Sequence, residues 1–185
     1  MKTLKILLVI FISINFPVKA DLNQNLNEQL KNGGNLIFIR HAYAPGGGDP
    51  VNFLISDCSS QRNLSEDGIN QSKKIGQFFR DNDIAIDKVL SSEWCRCKDT
   101  AKVAFTKFET KKFLNSFFSP QFAKNKNQQI KDLKEYVSNW QSDKNLVLVT
   151  HYVLITELLN YSPSSGEIVI SDRNFKVIDS FEIEY

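Results

Sequence analysis

Two unbroken apolar runs constrain this chain more than anything else in it. Leu36-Ile37-Phe38-Ile39 and Leu146-Val147-Leu148-Val149 offer no polar residue to either side of an extended backbone. Such strands are stable when both faces are covered, as in a largely parallel sheet with helices on each side. Helical periodicities lie around them. Leucines recur at 22, 26 and 30 between Asp21 and Lys31, with Gly33-Gly34 closing the stretch. Ser65-Glu66-Asp67 reads as a helix start, followed by an apolar stripe of Ile69, Ile75, Phe78 and Phe79. Further helices are expected over Trp94 to Phe105, around Ile130 to Val137, and over Val153 to Leu159. Ile84 to Leu90, Ile168 to Ile170 and Val177 to Ile183 read as additional strands, and 106 to 128 as irregular. The expected fold class is therefore α/β, a three-layer sandwich with a mostly parallel sheet flanked by helices. No repeat or low-complexity linker divides the 185 residues, a length that suits one domain.

The first twenty residues read as an address. A basic start, Met-Lys-Thr-Leu-Lys, precedes an apolar run from Ile6 to Phe16 and a small residue, Ala20, at a cut site, which is the pattern of a signal peptide. The run is shorter than the roughly 20 apolar residues a spanning helix needs. The expected organisation is a signal peptide over 1–20 and one domain over 21–185. The first cysteine is Cys58, so none stands at the cut to carry a lipid. A periplasmic or secreted protein with no stable membrane anchor is expected. Removing Lys2, Lys5 and Lys19 takes 23 basic residues to 20 against 21 acidic ones, and the formal charge from +2 to −1. That leaves no basic excess to attract nucleic acid.

The chain has two histidines, and each directly follows one of the apolar runs: Arg40-His41 after the first, Thr150-His151 after the second. Ligands of open α/β sheets bind outside the carboxyl ends of the strands, so both imidazoles are placed at a crevice. Ser91-Ser92-Glu93-Trp94-Cys95-Arg96 lies past a third strand and opens a helix. A helix N-terminus favours an anion, and a guanidinium grips phosphate through two hydrogen bonds. Two arginines and two histidines thus converge above one sheet edge. Gly46-Gly47-Gly48 runs into Asp49-Pro50 rather than the Gly-Lys-Ser/Thr of a phosphate-binding P-loop, and reads as a loop. Three cysteines allow one disulfide in an exported chain, with Cys58 paired to Cys95 or Cys97. No Cys/His cluster at ligand spacing suggests a metal.

Four segments carry a family resemblance. Leu36 to Ala42 resembles the Arg-His-Gly signature of the histidine phosphatase superfamily, which includes the cofactor-dependent phosphoglycerate mutases. Leu64-Ser65-Glu66-Asp67-Gly68-Ile69-Asn70-Gln71 is similar to its Leu-Ser-x-x-Gly-x-x-Gln segment. Ser91 to Ala101 resembles its Ser-Ser-x-x-x-Arg-x-x-x-Thr-Ala helix, and Val147 to His151 the strand with its second histidine. The segments occur in the family's order. Ala42 replaces the signature glycine, and Tyr152 stands where the acid phosphatase branch has aspartate. The family's acid segment falls near Leu114 to Phe118, where no carboxylate stands.

The resemblance implies a phosphatase acting on a small phosphomonoester without cofactor or metal, and the leader implies that it is exported. His41 would be the nucleophile, forming a phosphohistidine that water hydrolyses. Arg40, Arg96 and His151 would bind the phosphoryl group and stabilise its charge. Glu93 is the favoured general acid, with Asp49 and Glu167 as alternatives. Exported family members that act on phosphorylated lipopolysaccharide sugars suggest a cell-envelope phosphosugar as substrate. A non-catalytic phosphosugar-binding module and a phosphohistidine-protein phosphatase are the competing readings.

Overall fold

The computed structural model describes residues 26–184. The expected signal peptide and Leu22 lie outside the described residues. A six-stranded sheet in the order β3-β2-β4-β1-β5-β6 forms the middle layer. Its strands are β1 (Leu36–Arg40), β2 (Ile86–Ser91), β3 (Glu109–Thr110), β4 (Asn145–Thr150), β5 (Ile168–Ser171) and β6 (Val177–Phe181). The β1–β4, β2–β4 and β2–β3 pairs are parallel. The β1–β5 and β5–β6 pairs are antiparallel, a direction the apolar pattern left open. The α/β sandwich with a mostly parallel sheet is the observed fold.

Alternation along the two apolar runs divides the core into two halves. Ile37, Ile39, Val147 and Val149 face one side. They pack on Leu26 and Leu30 of α1 (helical over 26–32), Ile75 and Phe79 of α2 (Glu66–Asp81), and Ala101 and Ala104 of α3 (Cys95–Phe105). Leu36, Phe38, Leu146 and Leu148 face the other, against Leu133 and Val137 of α5 and Leu154, Ile155 and Leu159 of α6. Here α5 spans Lys126–Asn139 and α6 spans Tyr152–Leu159, with a short α4 at Pro120–Ala123. Each such side chain, fully buried, contributes roughly 1.5–3 kcal/mol, so removing either helical layer would leave the strands exposed.

The helix signals act locally as their chemistry requires. The Ser65 side chain accepts from the Gly68 amide, and Glu66 and Asp67 stand in the first turn of α2, where the helix dipole favours negative charge. A Cβ on Gly76 would lie 2.2 Å from the Ala104 carbonyl oxygen, so α2 and α3 touch backbone to backbone there. The stretch 106–128 departs from the irregular expectation, since it holds β3, a single 3-10 turn at Lys112–Leu114 and α4. Tertiary bonds order it: the Lys111 amide donates to Ser91 O at 2.8 Å, and Gln129 Nε2 donates to the carbonyls of Lys112 and Asn115. The last strand stops at Phe181 rather than Ile183, whose carbonyl instead accepts from Gln71 Nε2. No helix among the described residues is long and apolar enough to cross a membrane.

Candidate active site

Parallel pairing sets Ile39 opposite Val149 and Arg40 opposite Thr150. The next residue of each strand therefore leaves the same sheet edge beside the other. Those residues are His41 and His151, with ring centroids 5.5 Å apart. Both are buried, as is Arg96. His41 Nδ1 lies 2.9 Å from the Ala42 carbonyl oxygen. A carbonyl only accepts, so Nδ1 carries the hydrogen and Nε2 the free lone pair. That lone pair accepts from Arg96 Nε at 3.2 Å. Arg96 Nη2 stands 3.5 Å from His151 Nδ1. Behind His151, Nε2 lies 2.9 Å from Ser92 Oγ and 3.5 Å from Cys97 Sγ. Both imidazoles are held well below the ordinary histidine range, by burial first and by the Arg96 charge next, so both are neutral.

Three motif residues clamp the backbone that follows His41. Thr100 Oγ1 accepts from the Ala42 amide at 3.0 Å and donates to Arg96 O at 2.7 Å. Gln71 Oε1 accepts from the Tyr43 amide at 2.9 Å, while its Nε2 donates to Ser165 O at 2.8 Å. A Cβ on Gly68 would lie 2.0 Å from the Tyr43 carbonyl oxygen, so only glycine lets α2 approach. Ala42 is buried, and its φ is not positive. The signature glycine is thus not required for backbone conformation at this position.

A third arginine joins the site without having been anticipated. Arg62 Nη1 donates to the Ala44 carbonyl, and its charge helps lower both histidines. Arg40 Nη1 donates to Pro163 O at 2.8 Å, and its guanidinium lies over the Tyr152 ring. Burial foremost pulls both arginines below their usual range. Among the described residues, Arg40 Nε and Arg62 Nε are buried donors with no acceptor, a state that native proteins seldom leave unexplained.

The three carboxylates considered as proton donors have different surroundings. Asp49 forms a buried ion pair with Arg96, Oδ1 to Nη1 at 2.7 Å. Burial pushes its carboxyl up. The Arg96 hydrogen bonds and charge, the Arg62 amide and the Trp94 indole outweigh that and hold it below the usual range. Asp49 thus stands ionised against Arg96. Glu167 is buried with both oxygens engaged, accepting from Tyr161 Oη and from the Ser164 amide. Glu93 is half-buried, and its Oε2 accepts from Asn115 Nδ2 at 2.7 Å. Asn115 Oδ1 accepts from the Glu93 amide and from Ser92 Oγ. Asn115 thus lies in the segment where the acid was sought and holds the carboxylate of another segment. Nothing in the residue types signalled Asn115 or Arg62, since both reach the site through loop paths. Cys58 pairs with Cys95, resolving the two open pairings. Cys97 is free and buried, and burial pushes its thiol up to about 12.

Residues 36–145, more than half of the chain, match the model of the histidine phosphatase superfamily, branch 1. The chain belongs to this superfamily. Histidine phosphatase superfamily members act as phosphatases or mutases. Three solved structures share the fold. The protein histidine phosphatase SixA complexed with tungstate is 15% identical, with 80% of this chain and 96% of that chain covered at a TM-score of 0.55. TTHB049 from Thermus thermophilus is 14% identical, covering 82% and 97% at 0.57. Mycobacterial glucosyl-3-phosphoglycerate phosphatase complexed with VO3 is 16% identical, covering 75% and 92% at 0.52. Comparison with curated proteins returns no match.

Proposed function

We propose that this histidine phosphatase is an exported hydrolase of a small phosphomonoester that works through a phosphohistidine at His41. The observation that carries the reading is the neutral His41 ring. Its hydrogen is fixed on Nδ1 by Ala42 O, and its Nε2 lone pair faces Arg96. Beside it, the unaccepted Nε donors of Arg40 and Arg62 suit phosphoryl oxygens. Nε2 attacks phosphorus in line, and the P–O bond to the leaving alcohol breaks. Glu93, steadied by Asn115, delivers the proton to the leaving oxygen. Water then attacks the phosphohistidine, with Glu93 taking its proton, and inorganic phosphate leaves. Arg40, Arg62, Arg96 and His151 balance the charge on the equatorial oxygens.

The leader over 1–20 supports export, and so does the Cys58–Cys95 bond, of a kind that persists in oxidising compartments. A phosphosugar of the cell envelope fits that location. The test is His41→Ala assayed with p-nitrophenyl phosphate, for which a loss of about 10⁴-fold or more is expected. Labelled substrate should also leave acid-labile, base-stable phosphate on the wild type alone. Unchanged turnover in His41→Ala overturns the reading. Vanadate binding without any turnover in the wild type would instead indicate a phosphate-binding module, and a trapped phosphoprotein a protein phosphatase.

A further inference from the structure

A guanidinium has a side-on edge, Nε–Nη2, and an end-on edge, Nη1–Nη2, each able to take a bidentate oxyanion. In Arg96 the side-on edge faces the histidines, with Nε 3.2 Å from His41 Nε2 and Nη2 3.5 Å from His151 Nδ1. The end-on edge is taken by Asp49, with Nη1 to Oδ1 at 2.7 Å and Nη2 to Oδ2 at 3.2 Å. Asp49 is itself fixed. Trp94 Nε1 donates to Oδ2 at 3.0 Å, and the Arg62 amide to Oδ1 at 3.1 Å. The glycine loop makes this possible, because Gly46 and Gly48 adopt φ of +92° and +98°, which side chains rarely tolerate. The Asp49 and Arg96 side chains are 5% and 4% exposed.

We propose that Asp49 is a positioning residue for Arg96: it holds the end-on edge so that the side-on edge is presented between the two histidines. The inference rests on the phosphatase reading and assigns the glycine loop a part in it. Asp49 touches neither histidine in this arrangement and acts on substrate only through Arg96. Orientation and charge have opposite effects here. Removing a carboxylate from an anion site would by charge alone tighten anion binding. Losing the clamp would loosen it and slow the chemistry.

Asp49→Asn keeps the shape and removes one charged acceptor. Expected are weaker binding of orthovanadate by calorimetry, a raised KM, a lowered kcat, and a fall of about 100-fold in kcat/KM on p-nitrophenyl phosphate, as misplacement by an ångström costs. Asp49→Glu retains the charge with its carboxylate displaced by one methylene and should fall between Asp49→Asn and the wild type. A role in folding alone would lower the melting temperature yet leave kcat/KM unchanged well below it, and that result overturns the proposal. So does tighter vanadate binding by Asp49→Asn. Should Asp49→Asn fail to fold, Asp49→Glu decides, and activity equal to wild type overturns the clamp. A wild type that neither binds vanadate nor turns over substrate removes the phosphatase reading and the clamp with it. A normal wild type with a normal Asp49→Asn removes the clamp alone.

Discussion

Burial and Arg96 keep the two imidazoles neutral, and the same forces make stability depend on pH. Both histidines are held well below the ordinary range in the fold, whereas in the unfolded chain they titrate near about 6.5. Above that value neither state binds the protons, and the full stability is present. As pH falls below it, the unfolded chain takes up protons that the folded chain refuses. Stability then drops with falling pH by about 1.4 kcal/mol per pH unit per histidine, until the folded values are reached. Urea midpoints between pH 7.5 and 5 should show this slope, and His151→Asn should remove about half of it. Midpoints that stay flat across this range would mean that the rings charge freely in the fold. At this scale the sequence was informative where a residue follows a strand. His41 and His151 could be placed because strand ends fix position. Arg62, Asn115 and the pairing of Asp49 with Arg96 could not, since Arg62, Asn115 and Asp49 each arrive through a loop whose path depends on contacts distant in sequence.

At the scale of elements, the segment between His41 and α2 carries both Asp49 and Arg62, and it holds little regular structure of its own beyond a 3-10 turn at Cys58–Ser60. What ties it down is the Cys58–Cys95 bond, closing a loop of sequence separation 37 onto the residue before Arg96. Gln61 Oε1 supplements it by accepting from the Cys95 amide at 3.0 Å. Closing a loop of that length stabilises a fold by about 4 kcal/mol in the chain-entropy view. Cys58→Ser is therefore expected to lower the melting temperature and, because the loop delivers two groups to Arg96 and its surroundings, to raise KM as well. Calorimetry and p-nitrophenyl phosphate kinetics read the two effects separately, and a lowered melting temperature with intact KM would show that the loop keeps its place without the bond. Periodic elements were legible in the residues because one covered face suffices to define them. The turn at Lys112–Leu114 and strand β3 were not, because they rest on bonds from Ser91 and Gln129 rather than on any local pattern.

The whole molecule has two ends to its sheet, one for chemistry and one for support. Opposite the histidines, Asn35 Nδ2 donates to Asn145 Oδ1 at 2.8 Å, and Asn145 Nδ2 donates to the Leu30 carbonyl at 2.7 Å. Helix α1 thereby closes the lower edge of β1 and β4, with Leu30 fully buried and Leu26 nearly so. This bears on where a mature chain can begin. A cut after Ala20 keeps residues 26–32 and the contacts with the sheet described above. A start after Asn32 removes two core leucines and leaves Asn145 short of an acceptor, with an expected loss of at least about 2 kcal/mol for each leucine if other changes add nothing. Expression of the full chain in a secreting bacterial host should yield a mature protein whose N-terminal residue, by mass spectrometry, is Asp21. The chain lacking 1–20 should match it in melting temperature and turnover, while the chain lacking 1–32 should melt well below both. Retention of residues 1–20 on the exported protein, or equal stability of the two truncations, would refute this division. Residues 1–20 hold Lys2, Lys5 and Lys19 and no acidic residue, so a chain cut after Ala20 should also migrate as a near-neutral species rather than a basic one.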